Sequence, residues 1–106
     1  MSPQVFQILL TLHQGPQHGY AFIQDVRQRT DDRVRLTAST LYDALARLVD
    51  QGWIQEVPAP RGSPDARRRY YVVTPAGRKS AQQEVRRLEE LVRMARASGV
   101  LPGGAR

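Results

Sequence analysis

Between two β-prone tetrapeptides, Ile54–Val57 and Tyr70–Val73, the chain carries a run that fits neither a helix nor a strand ladder: Pro58-Ala59-Pro60-Arg61-Gly62-Ser63-Pro64-Asp65-Ala66-Arg67. Proline lacks an amide donor, and Gly and Ser favour turns, so the flanking runs are expected to pair as a hairpin closed by a long loop. Arg61, Arg67, Arg68 and Arg69 stand against a single acid, Asp65, along that loop and strand. Such a density repels itself unless an anion neutralises it, although a charge run that merely solubilises the chain is the plainer alternative.

Ahead of the hairpin, apolar residues recur at helical spacing in three separate stretches. Val5, Ile8, Leu9 and Leu12 follow Ser2 and Pro3, a cap and first-turn pair, which predicts a helix from Pro3 to about Gln14, ended by Gly15-Pro16. Tyr20, Ile23 and Val26, with Phe22 alongside, predict a second from about His18 to Arg29. The polar run Thr30 to Arg35 is then a connection. Thr37 stands where an N-cap would, before Leu41, Leu45, Leu48 and Val49, giving a third helix from Ala38 to about Gln51. Gly52 can take the left-handed conformation that closes a helix, and Trp53-Ile54 turns back to the core. After the hairpin, Thr74-Pro75 repeats the cap-plus-proline signature, and a last helix runs from Pro75 to about Ser98, stopped by Gly99 and Pro102.

This order gives a mainly α fold with a small β-hairpin: a winged helix-turn-helix over residues 1–74, a C-terminal dimerisation helix over 75–98, and a flexible tail over 99–106. In that fold the third helix enters the major groove. At 100° per residue, Leu41, Leu45 and Leu48 form its core face, while Ser39, Thr40, Asp43, Arg47 and Asp50 gather opposite. Hydroxyls near the helix start (Thr37, Ser39 and Thr40) suit phosphates or base edges, and Arg47 suits a phosphate or a guanine. A polar outer face is also what any amphipathic helix shows, so the basic wing carries more weight, with Arg61-Gly62 at its tip suited to a phosphate or minor-groove contact.

A net charge of +6, from 16 Lys plus Arg against 10 Asp plus Glu, points to a polyanionic partner. No apolar run approaches the roughly 20 residues that span a bilayer, the Met1 end lacks a signal-peptide layout, and there is no cysteine, so a cytoplasmic protein with no membrane partner is expected. Gly-rich phosphate loops, nucleophile elbows and paired-carboxylate spacings are missing, which argues against an enzyme and against a cofactor. His13 and His18 straddle a Gly-Pro break with no acid at ligand spacing, which argues against a metal site. His18 is expected to cap or brace the second helix, and Trp53 to anchor the core rather than stack on a ligand.

In the last helix Ala81, Val85, Leu88, Val92 and Ala95 recur at alternating steps of four and three, widened by Leu91. The three helices and hairpin already close a core, so this stripe needs other cover, and a second copy is the simplest. The alternative is that the helix folds back on its own domain.

Several blocks together resemble the PadR-like transcriptional regulators, and more closely their short branch with a single C-terminal helix. They are Ile8-Leu9-Leu10 leading to Gly15-Pro16-Gln17-His18-Gly19-Tyr20; Thr40-Leu41-Tyr42 followed by Leu45, Arg47 and Leu48; Gly52-Trp53-Ile54; Arg68-Arg69-Tyr70-Tyr71; and Thr74-Pro75-Ala76-Gly77. The resemblance implies a homodimeric repressor that binds double-stranded DNA at an inverted-repeat operator and is relieved by a small-molecule effector. It also implies backbone contacts from Tyr20 and Tyr42, a wing at the arginines near Tyr70, and help from helix one, at Val5 and Leu9, in the dimer contact. Asp43 departs from the family pattern of a small, proline or basic residue: either it accepts from a cytosine amino group or the helix docks at an angle that spares it. The competing class is a winged-helix protein-interaction module that never binds DNA.

Overall fold

The structure, a computed structural model, describes residues 1–63 and 67–101. In chain order it contains α1 (Pro3–His13), β1 (Gln17–His18), α2 (Gly19–Arg29), α3 (Ala38–Asp50), β2 (Ile54–Val57), β3 (Tyr70–Val73) and α4 (Pro75–Ala97). Three helices begin on a side-chain cap: Ser2 accepts from the Val5 amide, Thr37 from Thr40 and Thr74 from Gly77. Each cap satisfies one of the amides that a helix start leaves without an intrahelical acceptor. The helices stop within a residue of their expected ends, with Gly52 at φ 78 after α3 and Gly99 at φ 86 after α4.

The hairpin differs from expectation by a strand. β1 follows the Gly15-Pro16 break and pairs antiparallel with β3, Gln17 opposite Tyr71 and His18 opposite Tyr70. β3 is therefore the central strand of a three-stranded sheet in the order β1-β3-β2. Two residues carry no periodicity, so only the long-range pairing reveals them as strand. His18 accordingly does not cap α2 with its side chain. Its ring packs edge-on against Tyr70, with centroids 5.2 Å apart.

The core lies where α1, α2 and α3 meet the inner face of the sheet, around Ile8, Leu12, Phe22, Val26, Leu45 and Ile54. Val49, the other apolar residue that marks α3, is exposed. α1 and α2 are also joined by a polar network in which Arg29 reaches the Asp25 carboxylate, the Gln7 carbonyl (2.8 Å) and the Thr11 hydroxyl (2.9 Å). The link from α2 to α3 turns through Asp31 and Asp32, both at positive φ, where Arg27 Nε donates to Asp32 Oδ1 at 2.8 Å. An acidic residue tolerates the left-handed region better than most, and the ion pair helps to hold it there.

α4 is tied to the hairpin at its start. The Thr74 hydroxyl donates to the Gly52 carbonyl (2.6 Å) and the Thr74 amide to the Trp53 carbonyl (3.0 Å). Its first turns, through Gly77, Ala81 and Glu84, are buried against the domain. A helix of 23 residues is about 35 Å long, and the remainder projects outward, so the molecule measures 54 × 28 × 25 Å. At the far end the Val100 amide donates to the Ala95 carbonyl at 2.9 Å; of the expected tail, residues 102–106 lie outside the described residues.

Candidate nucleic-acid interface

α3 presents three different sides to its surroundings. Leu41, Ala44, Leu45 and Leu48 are buried. Thr40 and Arg47, expected on the outermost face, line a groove of about 460 Å³ shared with Val5 of α1, Gln51 and the half-buried Trp53. Tyr42 leans the other way, over the start of α2. Ser39, Asp43, Ala46 and Asp50 remain as the outward ridge, all of them exposed.

At the front of the helix, the Thr37 hydroxyl accepts from the Thr40 amide (3.2 Å) and donates to the Thr40 hydroxyl (2.8 Å). Thr37 is thus occupied in capping; of the other first-turn hydroxyls, Ser39 stands on the outward ridge and Thr40 on the groove side. Arg47 makes no ion pair among the described residues, and its guanidinium keeps its donors for whatever meets this side of the helix.

Beside α3 lies a second cleft, of about 430 Å³, lined by His18, Gly19, Tyr20, Tyr42, Arg68, Arg69 and Tyr71. Its walls come from α2, α3 and the central strand, which brings together residues far apart in the chain. Tyr20 and Tyr42 are 61% and 54% exposed, far more than apolar packing alone would leave two aromatic rings. Arg68 Nη1 donates to His18 Nδ1 at 3.0 Å, so β1 helps to set the direction of a wing arginine. Arg69 lies 3.6 Å from Glu56 across the sheet. Burial, reinforced by the Glu56 carboxylate, pushes the Tyr71 phenol up from its ordinary value.

Gly19 explains how Tyr42 comes to lie there. A Cβ at Gly19 would overlap the Tyr42 hydroxyl and stand 3.0 Å from its Cζ, so only glycine lets the ring cross the start of α2. α2 starts beside this cleft without a side-chain cap, and a helix start carries partial positive charge. Phenols and guanidiniums on one concave surface, beside a helix start, are the donors that phosphate oxygens accept from.

At the wing, the Ser63 amide donates to the Pro60 carbonyl (3.1 Å), and Gly62 at φ 82 allows the turn that exposes Arg61. Arg67, Arg68 and Arg69 are exposed on the returning limb. The acid expected among them, Asp65, lies outside the described residues.

Two residues expected at a dimer contact need correction. Leu9 is 0% and Ala81 5% exposed, both within the protomer's own core, because α4 lies over α1 at this point; neither has surface left for a partner. Val5 is half-buried beside the Trp53 groove. Val85, Leu91 and Val92 are exposed on the projecting part of α4, with Leu88 and Ala95 half-buried. Sequence reasoning missed His18 and Gly19 as members of the cleft. The one local signal was a glycine directly before an aromatic residue at a helix start.

Helix pair, outward ridge and basic wing together define a winged helix-turn-helix regulator. Residues 8–83 match the family described as the transcriptional regulator PadR-like family, and the chain belongs to it. Among solved structures, the chain is similar to a transcriptional regulator from Clostridium thermocellum, with 31% identity, TM-score 0.76 and coverage of 92% of this chain and 90% of that one. A PadR family transcription regulator from Clostridium difficile aligns at 22% identity and TM-score 0.78, over 89% of this chain and 95% of that one. Bacillus subtilis PadR, solved in complex with operator DNA, shares the fold at 21% identity and TM-score 0.65, over 76% of this chain and 45% of that one. No curated protein matches the chain. The family is one of regulators rather than enzymes, and no helix among the described residues is long and apolar enough to cross a membrane.

Proposed function

We propose that this protein is a cytoplasmic repressor that binds double-stranded DNA as a homodimer, with α3 in the major groove and the wing and the Tyr20–Tyr42 cleft on the phosphates. The observation that carries the reading is the convergence of Tyr20, Tyr42, Arg68 and Arg69 beside the outward ridge of α3. Phosphate contacts fix register while base contacts specify the site, and here the two sets of groups lie side by side. Operator DNA bound by the Bacillus subtilis protein of the same fold supports the same partner class.

The dimer rests on α4. Its projecting part carries Val85, Leu91, Val92 and Met94 in the open, an apolar surface that a second copy would bury. Two-fold symmetry about α4 would set the recognition helices about one DNA turn apart, near 34 Å, and so favours an inverted-repeat operator. Relief by a small ligand is supported by the groove beside Trp53. Its volume of about 460 Å³ falls in the range of small-molecule sites, and it shares Thr40 and Arg47 with the recognition helix.

The test is salt dependence on duplex DNA, followed by fluorescence anisotropy. If about six phosphates are neutralised, affinity should fall roughly a thousandfold between about 50 and 200 mM salt. A protein-interaction module would show no such binding, and absence of binding at low salt on genomic fragments refutes the reading.

A further inference from the structure

The outward ridge of α3 carries a carboxylate with no partner of its own. Asp43 is exposed one turn beyond Ser39, and no hydrogen bond or ion pair of its side chain occurs among the described residues. Arg47 stands at the i+4 spacing that would pair with it, yet it lines the groove beside Trp53 instead. Ala46, the next residue on the ridge, is too small to keep a base edge away. Asp50 shares the ridge but lies two turns further along, whereas it is the first turns of a recognition helix that meet base edges.

We propose that Asp43 is a specificity-determining residue, accepting a hydrogen bond from the amino group of a cytosine in the major groove and so selecting a G·C pair in each half-site. This rests on the DNA-binding reading above. An ionised carboxylate can only accept hydrogen bonds. The major groove offers it two donors, the cytosine N4 and adenine N6 amino groups. Beside adenine N6 stands the N7 acceptor, whose lone pair opposes a carboxylate; beside cytosine N4 stands the C5 hydrogen, which does not. Thymine and guanine show it only acceptors or a methyl group. Asp43 therefore meets a favourable partner at one base and unfavourable ones at the other three.

The same charge works against every other sequence. Brought between phosphates, the carboxylate is repelled whatever the base, and only the cytosine amino group compensates. Asp43 thus depresses nonspecific binding more than specific binding and widens the ratio between them. A neutral residue at this position would give tighter but less selective binding.

The experiment is selection from a random duplex library with wild type, Asp43→Ala and Asp43→Asn, alongside affinities for a nonspecific duplex. Asp43 is exposed and its side chain makes no hydrogen bond or ion pair among the described residues, so both variants should fold as wild type by circular dichroism. Wild type should select C at one position of each half-site. Asp43→Ala should lose that preference, by roughly 5- to 150-fold in discrimination, while nonspecific affinity rises. Asp43→Asn should move the preference to A, which offers the N6 donor and N7 acceptor that an amide pairs with. If Asp43→Ala keeps the wild-type preference at every position and only binds all duplexes more tightly, the carboxylate is a repulsive charge and the proposal fails. If wild type binds DNA and selects a site with no C that depends on Asp43, the proposal also fails while the DNA-binding reading stands. If wild type binds no duplex at low salt, that reading falls and takes this one with it.

Discussion

Gly77→Ala is the substitution whose consequence follows most directly from the geometry. Gly77 lies in the first turn of α4, where the helix crosses the hairpin so closely that a Cβ would overlap the Trp53 carbonyl oxygen. The same Cβ would stand 2.8 Å from Val73 Cγ2 and 2.9 Å from the Trp53 carbonyl carbon. Two of these three neighbours are backbone atoms, so no rotamer change relieves the overlap; the helix start and the hairpin must shift apart. Overpacking of this kind costs about 1–3 kcal/mol. The shift also strains the bonds from Thr74 to the Trp53 carbonyl (3.0 Å) and to the Gly52 carbonyl (2.6 Å), each contributing about 1 kcal/mol. Against this, alanine is better than glycine in a helix interior by about 1 kcal/mol, and less so in a first turn. The balance is a loss of about 2 kcal/mol or more. At roughly 4–8 °C per kcal/mol for a domain of this size, the melting temperature should drop by about 8–16 °C. Thermal unfolding followed at 222 nm, at equal protein concentration, measures it. A variant as stable as wild type, or stabilised as helix propensity alone would have it, would show that α4 does not approach the hairpin as described.

The glycine at the start of α2 behaves differently. Gly19→Ala meets only the far end of the exposed Tyr42 side chain, which can swing away, so stability should change by no more than about 0.5 kcal/mol while DNA affinity falls; anisotropy and a thermal melt separate the two effects. Stability should also fall in acid. Arg87, then the N-terminal ammonium, holds the Glu84 carboxyl at about 2, below its ordinary value of 4.5. At Asp25, burial raises the carboxyl while bonds from Thr11 and Arg29 together outweigh it and lower it. Groups depressed in the folded state stabilise it above their unfolded values, and that contribution fades as pH falls from about 4.5 towards 2. Melts across that window should show it, and Glu84→Gln should flatten the slope; an unchanged slope removes Glu84 from the account. Finally, Leu88→Asp with Val92→Asp should convert a dimer to monomers in light scattering, since a carboxylate buried in an apolar seam costs several kcal/mol. A double variant that stays dimeric, with operator affinity unchanged, would rule out α4 as the contact.

Elements whose cause is local could be read from the sequence. Ser2-Pro3, Thr37 and Thr74-Pro75 mark helix starts because capping depends on residues within one turn, and all three caps form. What could not be read depends on distant partners. Gln17 and His18 become a strand only because Tyr70 and Tyr71 lie opposite them. Ala81 repeats at the spacing of an interface, and the resemblance puts Leu9 beside it, yet periodicity shows only that a residue is covered, and here α1 and α4 cover each other. Periodicity alone gives α3 one undivided polar outer face. Its division into a ridge, a Trp53 side and a Tyr42 side needed the positions of α1 and α2, which no helical wheel contains.

β1 is only two residues long, but it fixes a dimension. Its pairing with β3 joins the residue just before α2 to the strand that leads out of the wing, and β3 is joined in turn to β2 and the end of α3. The base of the wing is therefore not a free arm beside the helices. Its root and the residues just before α2 belong to one sheet, and a slip of one residue in their pairing would turn every side chain of the shifted strand to the opposite face. The protomer should meet DNA as a stamp of fixed pattern, with the spacing between strand and reading helix set by the fold itself. If operators of the proposed homodimer differ in the distance between their halves, the difference must then be taken up where two protomers join, or in the DNA.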